Sequence, residues 1–524
     1  MSLFQRVLRF RCFHSSTSYL AVNQKKLLER ARKDEENEIL NRILKNPQIA
    51  NPNDVEYLRN EVLNSGGKFT TKSVDRILLK YFISSKQYDI GLDYIKYLSE
   101  EHISKSHLFL TNQIFRLYFQ KRYEEKSLSE AAEEHLISLY KNLRKSYPVL
   151  DVISLEHAIL ALSVTKEWRK TIELVDEIKK MNRPSSICFS AIIAAAFLNN
   201  EEKTAWMFFN EMFEKERPPY DVIFQAYFEQ LESLPDKQEV LSNLEKLFRI
   251  CTEKDIIFSE RVILDLNKLL RKNDIYATFT TINKRGYCTN CQKQLTNLEL
   301  TDEVFEKLKG KIVNNVIVGK NIFSKTTPEE FSRFQTFLKS FDSCDVIIDG
   351  LNVAYTAGTK QSAAVYSTLL AHVVAHFVNK EKTVVVLGRA HMNKWPKKQW
   401  SYVRNNAKIF LTQDISQDDP YLLCCALHCG KDTIIVTKDL MRSHLFLLKD
   451  PVDKIMFSRW LSQRQYQLKF ITNDGKVHFK VPLPYTETMQ KKLDNWHIPY
   501  LSNVDPNHEG NESSTKWLCM QCSK

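Results

Sequence analysis

The chain has 524 residues, of which 43% are hydrophobic, 11% aromatic and 26% charged, a composition that excludes global disorder. Only 12 glycines and 15 prolines occur, too few for an all-β architecture built on many tight turns, so helix should dominate. Seventy-five Lys+Arg against 63 Asp+Glu leave +12, which favours a polyanionic partner, nucleic acid first.

Residues 1–28 carry Arg6, Arg9, Arg11, Lys25 and Lys26 with no acid, and Ser15, Ser16, Thr17 and Ser18 follow the arginines. Leu3, Phe4, Val7, Leu8 and Phe10 supply an apolar side. An arginine-rich, serine-rich, acid-free amphipathic start is the pattern of a mitochondrial transit peptide, whereas a secretory signal needs an unbroken apolar core. Import into the mitochondrial matrix is therefore expected, against the plainer reading of a basic tail.

From about Lys68 to Phe258 apolar residues recur at spacings of three and four, a helical pattern. Glu177-Ile-Lys-Lys-Met-Asn-Arg-Pro184 matches Glu211-Met-Phe-Glu-Lys-Glu-Arg-Pro218 at an offset of 34 residues. Each copy closes two short helices, 155–163 with 168–180 and 188–199 with 203–215, and Pro184 and Pro218 are expected to end the second of each pair. Looser copies lie around 73–100, 108–147 and 220–258. A fixed period in the thirties marks stacked helical hairpins, since one hairpin cannot bury its apolar face alone. Such arrays serve either single-stranded RNA or protein partners. The longest apolar run, Ile187 to Leu198, is interrupted by Ser190 and is shorter than the roughly 20 residues a bilayer requires, so no membrane span is expected.

The eleven cysteines form no small-domain framework and read as reduced thiols with a few metal ligands. Cys288-Thr-Asn-Cys291 is half of a tetrahedral zinc site. His497, Cys519 and Cys522 are the candidates for the other half: a Cys₃His set and a Cys₄ set without His497 both remain open at this point. Cys424, Cys425 and Cys429 fall on an expected helix and read as packed small hydrophobes.

After about Tyr287, β-branched runs at 345–348, 383–387, 408–411 and 433–436 alternate with helical patterns at 363–377 and 419–428. Strand–helix alternation predicts a parallel sheet covered on both faces. Runs at 466–471 and 476–481 flank Asn473-Asp474-Gly475, a hairpin signal. Asp349, Asp414, Asp418, Asp419 and Asp439 all fall at carboxyl ends of predicted strands, where an open α/β sheet forms its ligand crevice. Each has a plainer role: Asp418 or Asp419, and likewise Asp439, as a helix cap, and Asp349 in a turn. Together they repel one another, and hard oxygen-seeking Mg²⁺ resolves that repulsion. Two such ions support attack of water on phosphorus, the chemistry of a metal-dependent phosphodiesterase. No Walker A loop or nucleophile elbow offers another route.

Tyr287-Cys-Thr-Asn-Cys291, Ile348-Asp-Gly-Leu-Asn-Val353, Ser416-Gln-Asp-Asp-Pro420, Thr437-Lys-Asp-Leu-Met-Arg442, Trp496-His-Ile-Pro499 and Trp517-Leu-Cys519 occur in that order. In this the chain resembles the protein-only ribonuclease P family, most closely its animal mitochondrial branch. The resemblance implies a pentatricopeptide-like helical superhelix (68–258), a zinc-bound connector with a β-hairpin (285–340 and 462–524) and a PIN-like α/β/α metallonuclease domain (341–461). It implies a nuclease that removes the 5′ leader of mitochondrial precursor tRNA and leaves a 5′-phosphate. By the same resemblance Asp349, Asp418, Asp419 and Asp439 hold Mg²⁺, two ions in all, and carry catalysis. Cys288, Cys291, His497 and Cys519 hold one structural Zn²⁺, Asn352 orients Asp349, and His444 matches a family histidine. Ser443 stands where the family usually has an acid, and Pro420 where plant members carry an aromatic. Animal members depend on a tRNA methyltransferase and a short-chain dehydrogenase, which the resemblance carries over as expected partners. Arg389 and Lys394 are candidates to offset phosphate charge. The competing functions are a non-catalytic RNA-binding repeat scaffold and a metallonuclease acting on other RNAs.

Overall fold

The computed structural model of the protein describes Leu40 and residues 55–65, 69–100, 107–313, 327–413, 419–439, 441, 445, 448, 450–502 and 515–522. The transit segment expected at 1–28 lies outside them. The chain divides into two compact units, residues 1–209 and 210–524.

The described residues of the first unit form consecutive helices: Val55–Asn64, Val74–Ser84, Tyr88–Glu100, His107–Glu125, Glu130–Ser146, Val152–Ser163, Lys170–Met181, Ser186–Leu198 and the start of Glu202–Glu214. The two repeat copies are helical hairpins. Asp151 caps the first, its carboxylate accepting the Ser154 N–H at 2.8 Å. Pro184 and Pro218 lie beyond the ends of their helices, at Met181 and Glu214, and do not themselves end them. The second helix closes through Glu216 in the left-handed region (φ 56°), with the Arg217 N–H donating to the Met212 carbonyl at 3.0 Å. Helix Ser186–Leu198 is buried from Cys188 through Phe197. A helix apolar on every side belongs inside a bundle. Among the described residues no helix is long and apolar enough to cross a membrane.

The second unit begins with the hairpin Asp221–Leu231 and Lys237–Glu253. Strand β1 (Phe258–Ser259), helix Glu260–Lys272, β2 (Ala277–Thr280) and helices Asp302–Ile312 and Pro328–Leu338 follow. Then come β3 (Val346–Asp349), helices Gly350–Ala354 and Ala363–Val378, β4 (Val384–Arg389), helix Lys397–Asn406, β5 (Lys408–Thr412), helix Asp419–Cys429 and β6 (Ile434–Val436). Helix Pro451–Arg464, β7 (Gln465–Ile471), β8 (Val477–Lys480), β9 (Gln490–Lys492), β10 (Asn495–Leu501) and β11 (Lys516–Gln521) complete it.

Six strands make one sheet in the order β5-β4-β3-β6-β7-β8, parallel except for the β7–β8 hairpin. Alternation along β3 sorts the core. Ile347 joins Val385, Leu387, Phe410 and Ile435 under helices 328–338, 419–429 and 451–464. Val346 and Ile348 join Val384, Val386 and Val436 under helices 363–378 and 397–406. Near-continuous apolar strands are what a sheet buried on both faces requires. From β3 the chain winds outward through β4 to β5, then returns to β3's other side for β6 and β7. β3 and β6 therefore flank the switch point, where an α/β sheet opens a crevice at its carboxyl edge.

The hairpin expected in the connector extends this six-stranded sheet instead: Ile435 pairs with Gln465 and Val436 with Tyr466. A local turn signal specifies a hairpin but not the distant strand that will accept it. The remaining strands form a second sheet, β1-β10-β11-β2, with β9 on the free side of β10 near its start.

Candidate metal centres

Asp349 ends β3 and caps the short helix after it, Oδ1 accepting the Asn352 N–H at 2.9 Å. Its Oδ2 accepts from the Thr437 hydroxyl at 3.1 Å, just beyond β6. The same hydroxyl oxygen accepts the Asp439 N–H at 3.1 Å, and Asp439 Oδ1 accepts the Met441 N–H at 2.8 Å. One buried threonine hydroxyl thus ties the Asp349 carboxylate of one strand end to the Asp439 backbone of the other. Asn352 serves twice: its backbone orients Asp349, and its side-chain oxygen accepts the Lys438 N–H at 2.9 Å, tying one strand-end loop to the other. Gln465, at the start of β7, donates to the carbonyls of Thr437 (2.9 Å) and Asp439 (2.8 Å) and fixes the second loop.

Gly350 is required beside Asp349. A Cβ there would stand 2.9 Å from Met392 Cε and 3.0 Å from the Leu387 carbonyl of β4. The close approach seats the Asp349 turn directly on the neighbouring strand.

The third expected contributor follows β5. Thr412, buried, donates to the Gly388 carbonyl at 3.2 Å, and Gln413 N–H donates to the buried Glu330 carboxylate at 2.6 Å. These bonds anchor the chain at the sheet's carboxyl edge where residues 414–418 begin. Asp414 and Asp418 lie outside the described residues, and Asp419 is the first residue of its helix. Ser443 and His444 also lie outside the described residues. Arg389 ends β4 at the same edge, and Lys394 is exposed on the 3₁₀ turn after it.

Three hard-oxygen features suit Mg²⁺ here: two carboxylates on rigid strand ends, a hydroxyl fixing one of them, and Asp439 Oδ2 accepting no hydrogen bond among the described residues. Thr437, Gln465 and Glu330 escaped the sequence reading. Only Thr437 gave a signal, as the residue that opens the Thr437-Lys-Asp motif.

The second centre is built on the smaller sheet. His497 on β10 lies opposite Cys519 on β11, which in turn lies opposite Thr278 on β2. Cys288 and Cys291 come from the turn after β2. Gly286 (φ +87°) starts that turn, and a Cβ there would stand 2.9 Å from the Leu295 carbonyl. Cys288 N–H then donates to the Lys293 carbonyl and Gln292 N–H to the Cys288 carbonyl, each at 3.0 Å. The ligand atoms of Cys288, Cys291, His497 and Cys519 all lie within 4.8 Å of one another. His497 Nε2 is 3.2 Å from Cys291 Sγ and 3.8 Å from Cys519 Sγ.

Further donors surround the sulfurs: Asn495 to Cys519 at 3.6 Å, itself held by Lys293, and Thr280 beside Cys288 at 3.5 Å. The hydrogen bond from the Cys519 thiol draws Cys288 down to about 2 and raises Cys519. A soft, thiolate-rich tetrad, buried except for the half-buried Cys291, fits Zn²⁺ better than any oxygen-seeking ion. Cys522 is outside the group; its N–H donates to the Asp494 carbonyl, and burial pushes its thiol up to about 11.

The family model described as protein-only RNase P matches residues 282–519, a span that holds both centres. The mitochondrial ribonuclease P catalytic subunits of Mus musculus and Rattus norvegicus are each 30% identical over 414 residues. The alignments cover 74% of this chain and 66%, just under two thirds, of each relative. Nuclear proteinaceous RNase P 2 from Arabidopsis thaliana has a similar structure, with a TM-score of 0.57 at 15% identity, over 87% of this chain and all of that one. At that identity the likeness speaks to the fold alone.

Proposed function

Since this chain belongs to the protein-only ribonuclease P family, we propose that it is a Mg²⁺-dependent endoribonuclease that removes the 5′ leader of mitochondrial precursor tRNA. The observation that carries this reading is the joining of Asp349 and Asp439 through the Thr437 hydroxyl at the switch point of the sheet. By the family resemblance Asp418 and Asp419, which follow β5 in the chain, complete the acidic set. Mg²⁺ held there supplies activation of the attacking water and charge stabilisation at the phosphate.

The protein's own part is placement. Asp349 and Asp439 fix the metal positions, Thr437 holds the Asp349 carboxylate, Gln465 holds the loop that carries Asp439, and Arg389 and Lys394 balance phosphate charge. Water adds to phosphorus as the bond to the leader's 3′ oxygen breaks. The leader departs with a 3′-hydroxyl, and the tRNA keeps the 5′-phosphate.

Cys288, Cys291, His497 and Cys519 hold one structural Zn²⁺ that ties β10 and β11 to the turn after β2. The helical hairpins grip the precursor tRNA. The chain works in the mitochondrion, in its matrix, with a tRNA methyltransferase and a short-chain dehydrogenase as partners by family resemblance.

The test is leader release by the purified chain, with and without those two proteins, for wild type and for Asp418→Asn/Asp419→Asn. Loss of cleavage in the double variant, with its melting temperature kept, is expected. A wild-type rate in that variant would remove the acidic crevice from the chemistry.

A further inference from the structure

Helix 419–429 ends against the entry to β3, and a group of thiols meets there. Cys344 Sγ and Cys429 Sγ are 2.7 Å apart although 85 positions separate them in the chain. That spacing is about 0.7 Å beyond a disulfide bond. Cys425, one turn earlier on the helix, also hydrogen-bonds the Cys429 sulfur. Cys344 and Cys425 are buried, whereas Cys429 is half-buried and precedes the Gly430 turn (φ +118°).

Both backbones are pinned where the sulfurs meet. Thr433 donates to the Cys344 carbonyl at 3.2 Å, and His428 Nε2 lies 3.0 Å from the Phe341 carbonyl. None of these thiols belongs to the zinc group, and β3 runs from Cys344 at its entry to Asp349 at its far end.

We propose that Cys344 and Cys429 form a reversible disulfide by exchange with a low-molecular-weight disulfide of the glutathione class, stapling the entry of β3 to the end of helix 419–429. The Cys429 thiolate attacks one sulfur of glutathione disulfide, forming a mixed disulfide and releasing one glutathione thiolate. Cys344 then loses its proton to solvent and attacks the Cys429 sulfur. The protein disulfide forms and the second glutathione leaves. Two protein thiols are oxidised, and one glutathione disulfide is reduced to two thiols.

The order of attack follows from the surroundings. Hydrogen bonds donated by Cys344 and Cys425 draw Cys429 down to about 4, and the two donors are raised. The helix C-terminus opposes a thiolate at this last turn, but the two donated hydrogen bonds outweigh it. Cys429 is therefore both the ionised thiol and the more accessible one. The bond joins elements already packed together, at the edge of the sheet away from the carboxylates. It should stabilise the fold and leave the metal positions unchanged.

The experiment treats the full, zinc-loaded chain with glutathione disulfide, then alkylates, digests and maps it by mass. A Cys344–Cys429 cross-link, reversed by reduced glutathione, is expected, together with a melting temperature raised by roughly 5–10 °C. Cys425→Ser should keep both effects. Cys344→Ser should stop at a glutathione adduct on Cys429 and lose the thermal gain. A Cys425–Cys429 link, a persistent adduct on Cys429 in the wild type, or full alkylation of all three thiols would overturn the proposal.

Discussion

Replacing Thr437 by Val keeps the shape of the side chain and removes only its hydroxyl. In the structure that hydroxyl donates to Asp349 Oδ2 and accepts the Asp439 N–H, both at 3.1 Å, from a side chain 1% exposed. A hydrogen bond to a charged group contributes about 1.5–3 kcal/mol, and an orphaned donor costs about 1–3 kcal/mol. Asp349 is half-buried, so the lower ends apply, and a loss of about 2–3 kcal/mol is expected. That is survivable for a domain of ordinary stability.

The larger effect should be on metal binding, because the Asp349 carboxylate and the Asp439 backbone lose their common anchor. Groups that orient metal ligands are typically worth 10–100-fold in affinity or activity. The assay is leader release over a Mg²⁺ titration, with denaturant unfolding alongside. The Val variant should need roughly 10–100 times more Mg²⁺ and recover much of its rate at saturation, while Thr437→Ser stays near wild type. An unchanged Mg²⁺ requirement in the Val variant would show that Thr437 does not link the two strand-end loops functionally.

Other changes test other parts of the molecule. Gly350→Ala forces a Cβ to within 3.0 Å of the Leu387 carbonyl and should destabilise by about 1–3 kcal/mol in denaturant unfolding while also lowering cleavage. Metal analysis should find one zinc per chain, lost in Cys519→Ala, with a lower melting temperature; full zinc content in that variant would reject the tetrad. Burial holds His157 below its ordinary 6.5, so the unfolded chain takes up its proton first. Stability should therefore fall as pH drops from 6.5 towards the depressed folded value, and level off below it. His157→Gln should flatten that part of the curve, and an unchanged slope would remove His157 as the cause.

Local patterns proved readable where one residue type serves one local purpose. The β-branched runs at 345–348, 383–387, 408–411 and 433–436 are strands β3 to β6, shifted by a residue or so at their ends. The offset of 34 residues marks successive hairpins, because each must bury the same face against its neighbour. What escaped depends on distant partners. Gln465 reads as an ordinary polar residue until β7 pairs with β6 and aims its amide at the Thr437 and Asp439 carbonyls. Glu330 reads as one of many helix acids until its buried carboxylate receives the Gln413 N–H. The prolines at 184 and 218 mark repeat boundaries, yet the helices stop before them through their own C-terminal geometry.

The most direct measurement compares leader release by Asp349→Asn and Asp439→Asn with wild type at equal zinc content and equal melting temperature. If the two strand ends together hold the catalytic ions, each amide should slow cleavage by more than about a hundredfold, and extra Mg²⁺ should not restore it. Wild-type cleavage by either variant would contradict the account.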